Sequence, residues 1–163
     1  MVSFVRTLLP ALAIVAAQAA LAQATAPVTV DGAWARATVQ GQRSSGAFMT
    51  LTASEPVTLV RIATPVAGLA EVHEMKMEAD VMRMRAVTAL QLVPQQPVQF
   101  KPGGYHLMLQ DLKAPLRPDT SIPMTLAFRT ANGEERQLAL QVPVSVAAPA
   151  GVGAATTHGM NKH

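Results

Sequence analysis

Apolar residues along this chain alternate with polar ones in short runs rather than recurring at helical spacing. The runs 28–30, 33–38, 46–52, 57–63, 71–77, 81–87, 90–93, 98–101, 105–109, 122–129 and 135–142 are rich in Val, Thr, Leu and Phe. Period-two alternation places successive side chains on opposite faces of a strand. The breaks are turn-prone: Asp31-Gly32, Gln40-Gly41-Gln42, Ser54-Glu55-Pro56, Ala79-Asp80, Gln95-Gln96-Pro97, Pro102-Gly103-Gly104 and Arg117-Pro118-Asp119. Asn132-Gly133, set between Leu126-Ala127-Phe128 and Leu138-Ala139-Leu140, is the clearest hairpin signal. A turn about every ten residues predicts an all-β sandwich or barrel. Residues 66–69 allow one helical turn at most, and no internal repeat is visible.

The two ends depart from this pattern. A single Arg6 precedes an Ala-rich apolar stretch, and Ala20-Leu21-Ala22 has the small-x-small form of a cleavage site. Residues 1–22 are thus expected to be a signal peptide, with Gln23 opening the mature chain. Residues 23–146 are expected to form one domain, long enough to bury a core without staples. Residues 147–163 are dominated by Ala, Gly, Pro and Thr and are expected to form a flexible tail.

Composition narrows the chemistry. Cysteine is absent, which removes disulfides and thiol catalysis. The net charge of +3 is scattered and aromatic residues are few, so nucleic-acid binding has no support. No triad or paired-carboxylate arrangement stands out, so no enzymatic activity is expected. Nine methionines are present. Methionine often only fills gaps in a core, which is the role expected of Met49 and Met124 in their apolar runs; Trp34 is expected to plug the core as well.

Position separates other methionines from that role. His106 and Met108 lie two apart in an extended run, so they share a face while Leu107 and Leu109 take the other. Upstream lie His73-Glu74-Met75-Lys76-Met77 and then Met82 and Met84. Two imidazoles and two thioethers, without a thiolate, form a donor set suited to soft monovalent copper, whereas Cu(II) prefers harder nitrogen and oxygen donors. Met75, Met77 and Met82 could line the same face, and packing or shielding is the expected role for them, with Met75 a possible accessory ligand. Glu74 has the wrong parity to join His73. Gly103-Gly104 is expected to form the tight turn that launches the His106 strand.

His73, ten residues, Met84, twenty-one residues, then His106-x-Met108: this spacing resembles the motif of the periplasmic copper chaperone family called PCuAC. The flanking words are similar too, among them Val81-Met82-Arg83-Met84, Pro102-Gly103-Gly104-Tyr105 and Ala33-Trp34-Ala35-Arg36. The similarity runs from about Val28 to Val144. Near 51–54, and at Gln95-Gln96, the chain departs from the usual pattern without touching the four donors. The resemblance implies a cupredoxin-like Greek-key fold and a non-enzymatic Cu(I) carrier with His73, Met84, His106 and Met108 as ligands. It also implies a periplasmic location, delivery to the copper subunit of a respiratory cytochrome oxidase, and a Sco-type copper protein as co-worker. The competing expectations are a copper storage or resistance protein and a non-catalytic secreted β-sandwich. No membrane insertion is expected once the signal is removed. The tail carries His158, Met160 and His163, a possible accessory copper site that could take Cu(II).

Overall fold

The computed structural model describes residues 26–150. The expected signal segment, the Gln23 start and the tail donors His158, Met160 and His163 lie outside the described residues. Within them the chain forms ten strands and no helix: β1 (Val28–Arg36), β2 (Ser44–Ala53), β3 (Val57–Ala63), β4 (Ala67–Glu78), β5 (Val81–Val87), β6 (Leu90–Leu92), β7 (Val98–Phe100), β8 (Tyr105–Leu112), β9 (Ser121–Thr130) and β10 (Glu135–Ser145). The all-β expectation holds.

Hydrogen bonds join the strands in the order β5-β4-β8-β7-β2-β1-β10-β9-β3-β6, and β8 also pairs with β2 beyond the short β7. A brief parallel pairing of Ala35 with Val144 and Arg36 with Ser145 links the two wings of the sheet. Both wings feed one core, with Met49, Leu51, Leu107 and Leu109 from one side and Leu59, Met124, Leu126, Phe128 and Val142 from the other. Met49 and Met124 are 2% and 1% exposed, as expected of core fillers.

Three local expectations change. Asp31-Gly32 is not a turn between two strands but a bulge inside β1, where the register shifts between Asp31 and Trp34 and Gly32 takes a φ of 58°. An extra residue in one strand reverses the parity beyond it. Val28 and Val30 face the core before the bulge, and Ala33 and Ala35 after it. Trp34 is consequently buried on the opposite face of the sheet, against Phe48 with ring centroids 4.8 Å apart, and outside the main core cluster. Of residues 66–69, expected as a helical turn at most, Ala67 instead opens β4, and Ala67 and Leu69 pair with β8. The Asn132-Gly133 hairpin forms as expected, with Gly133 at φ 87° and its amide bonded to the Thr130 carbonyl.

Candidate metal centre

Three adjacent strands at one end of the sheet carry the candidate donors. The β4–β8 ladder sets His73 directly opposite His106 and Glu71 opposite Met108. The β4–β5 ladder sets Met75 opposite Met84 and Met77 opposite Met82. Residues paired across a ladder project from the same face. His73, Met84, His106 and Met108 are therefore brought to one face, with Met75, Met77 and Met82 beside them. Met84 and Met108 flank His73 on opposite diagonals, and unbranched thioether side chains have the reach to lean toward it. Leu107 and Leu109, of the other parity, are buried in the core and fix this orientation of β8.

Local turns hold the strands in place. Gly103 adopts φ 83° just before β8, a left-handed conformation that a side chain would strain. The Gly104 carbonyl accepts from the Met75 amide at 3.1 Å and thereby ties the start of β8 to β4.

The two imidazole rings lie 5.9 Å apart, tilted by 52°. Each has one nitrogen engaged. His73 Nε2 lies 3.2 Å from Glu71 Oε2. A carboxylate only accepts, so this nitrogen is the donor and Nδ1 keeps its lone pair. That Nδ1 is buried and has no hydrogen-bond partner. A buried polar atom without a partner is rare and calls for an explanation; a metal ion would supply one. His106 Nδ1 lies 3.4 Å from the Gly104 carbonyl, which also only accepts, leaving His106 Nε2 free. Burial holds the His106 imidazole below its ordinary pKa; the Gly104 bond opposes this, and the charge on His73 adds to it. His106 therefore stays neutral further into acid, which is the state a metal needs.

Among the described residues no three His, Cys, Asp or Glu side chains gather into a group that could hold a metal. A centre here needs sulfur, and sulfur is what surrounds the histidines. A cleft of about 490 Å³ between β3, β4 and the end of β5 contains none of the His or Met donors. The candidate site grades from nearly buried to open across the sheet face, with the His73 side chain 12% exposed and Met84 51% exposed.

Glu71 and Gln110 were missed by the sequence reasoning. Gln110 donates to Glu71 Oε2 at 3.3 Å and steadies the carboxylate that holds His73. The available signal was parity, since Glu71 sits two before His73 and Gln110 two after Met108. Glu74, set aside on parity, indeed faces away and binds Arg85 at 3.1 Å.

A family model described as "Putative lipoprotein LpqE-like" matches residues 28–158. A curated relative, "Putative lipoprotein Lxx21020" of Leifsonia xyli subsp. xyli, is 30% identical over 103 residues. That match covers 62% of this chain and 61% of the relative, so the chain spans about three fifths of that protein's length. Among solved structures, Cu(I)-DR1885 from Deinococcus radiodurans is 32% identical with a TM-score of 0.59, over 80% of this chain and 85% of that one. The copper-bound PCuAC domain from PmoF2 matches with a TM-score of 0.61 at 21% identity, over 76% of this chain and 97% of the domain, a likeness of fold.

Proposed function

We propose that this chain, which belongs to the LpqE-like family, is a copper carrier that binds Cu(I) through His73, Met84, His106 and Met108. The observation that carries the proposal is the in-register pair His73–His106, each ring with one nitrogen engaged and one free, on a face that also presents thioethers. Solved relatives described as Cu(I)-bound and copper-bound support the same cargo. The chain's own residues supply the rest of the argument. Imidazole and thioether favour the soft monovalent ion, and the absence of thiolate argues against a blue-copper electron-transfer centre.

The role is carriage without chemical turnover. The donors lie on a sheet face that is open at Met84, so an incoming partner ligand can enter as one thioether leaves. Met84, half exposed on the outermost strand, is the donor placed to leave first. The acceptor we propose is the copper subunit of a respiratory cytochrome oxidase, with a Sco-type protein as co-worker, in the periplasm after removal of residues 1–22. Family descriptions as lipoproteins support an envelope location.

Anaerobic titration of the full chain with Cu(I) against a chromophoric chelator tests the binding. His106→Ala and Met108→Ala are each expected to lose the tightly held equivalent. Retention unchanged in both would overturn the ligand assignment. Mixing the copper-loaded chain with a copper-depleted oxidase subunit tests delivery; copper that stays on the chain would favour storage.

A further inference from the structure

Methionine has two distributions in this fold. Met49 and Met124 are almost fully buried, whereas Met77, Met82 and Met84 are 60%, 46% and 51% exposed. Exposed thioethers fill no gap, so of the packing or shielding roles expected of Met75, Met77 and Met82, packing does not account for Met77 and Met82. The ladder places Met75 opposite Met84 and Met77 opposite Met82, four sulfurs in a two-by-two array on one face of the β4–β5 hairpin. The charged side chains of the hairpin, Glu74, Lys76, Glu78, Arg83 and Arg85, have the other parity, and two pairs close among them, Arg83 to Glu78 at 3.7 Å and Arg85 to Glu74 at 3.1 Å. Around Met75, Met77, Met82 and Met84 the face therefore carries no carboxylate to attract a hard cation; Glu71, further along the same face of β4, is engaged by His73 and Gln110. Its register is fixed by a two-residue turn in which Ala79 and Asp80 are both left-handed, φ 48° and 61°. The β8 ladder ends at the pairing of Glu74 with Tyr105, so Met77 and Met82 project past the rest of the sheet.

We propose that Met75, Met77 and Met82 form a second Cu(I) site, built of thioethers alone and abutting the His–Met site at Met84. Three thioethers match a soft d¹⁰ ion and offer little to Cu(II), Zn(II) or Mg(II). The inference rests on the chain being a copper carrier. It gives copper a landing position at the projecting end of the hairpin, one residue pair from the His–Met site.

The test is a methyl-resolved titration of the full chain carrying ¹³C-labelled methionine methyl groups, with Cu(I) under anaerobic conditions and Ag(I) as a parallel probe. The first equivalent should move the Met84 and Met108 methyls, and the second those of Met75, Met77 and Met82. In Met77→Leu/Met82→Leu the second set of shifts should vanish while the first equivalent binds as before; leucine preserves the apolar surface, and the exposed positions leave the core untouched. A second equivalent that moves only the Met160 methyl, or no hairpin methyl, overturns the proposal. If hairpin methyls move while His106→Ala leaves the first equivalent unchanged, the thioether site stands and the His–Met assignment fails instead.

Discussion

Single side chains decide which nitrogen meets a metal. Glu71 holds His73 by Nε2, and the Gly104 carbonyl holds His106 by Nδ1, so the two rings present different nitrogens. Carboxylate partners of this kind fix tautomer and ring orientation, and their loss typically weakens metal binding about 10–100-fold. Glu71→Ala is expected to weaken Cu(I) retention by about that factor in a chelator competition, and nitrogen spectra of the copper-free chain should show His73 leaving its Nε2–H form; unchanged values on both counts would contradict the positioning role. Acid should act through His106. Its folded pKa lies below the ordinary value of about 6.5, so the unfolded chain takes up the proton first as pH falls. The contribution is present above that value and is lost on descent toward the folded one. Urea midpoints of the copper-free chain should decline in that window, and His106→Gln should flatten the decline. The face shared by His106 and Met108 was readable from sequence because strand parity is local. Glu71 was not, because shared parity places it on the face of His73 without showing which side chain its carboxylate bonds.

Strands and turns show where local reasoning stops. The bulge at 31–34 could not be told from a turn by Asp31-Gly32 alone, since glycine at positive φ serves both. Its consequence is the placement of Trp34. One extra residue carries that ring to the outer face, where the Phe48 ring lies over Gly46, the residue paired with Met108. A Cβ at Gly46 would meet Phe48 Cζ at 2.9 Å, so the glycine makes room for that ring. The β4–β5 turn carries a testable strain. Ala79 sits at φ 48°, where a left-handed alanine costs about 1–2 kcal/mol. Asparagine tolerates that region better, and Ala79→Asn is expected to steady the hairpin by about 0.5–1 kcal/mol. Slower amide exchange at Glu78 and Val81 would register it, and exchange at the parental rate would refute it.

The whole molecule is a scaffold that sets β5, β4 and β8 side by side. The two linked wings close on Met124, Leu126 and Phe128, far in sequence from the His–Met strands. Met124→Ala should destabilise the fold by about 2–5 kcal/mol in denaturant unfolding, while copper retention below the transition stays intact; loss of copper without loss of stability would mean the scaffold and the site are coupled differently. The eleven runs became ten strands because 28–30 and 33–38 join in β1 across the bulge, whereas the all-β class followed from turn spacing. The neighbourhood of β5, β4 and β8 did not, because long-range pairing leaves no mark on local periodicity; the motif spacing supplied it through resemblance. X-ray absorption at the copper edge, on the full chain loaded with one equivalent of Cu(I), addresses the convergence of the two histidines with thioether sulfur. The expected spectrum contains two imidazole nitrogens together with sulfur, and one imidazole contribution disappears in His73→Ala. A shell of sulfur alone, or of nitrogen and oxygen alone, would show that the first copper does not sit between β4 and β8.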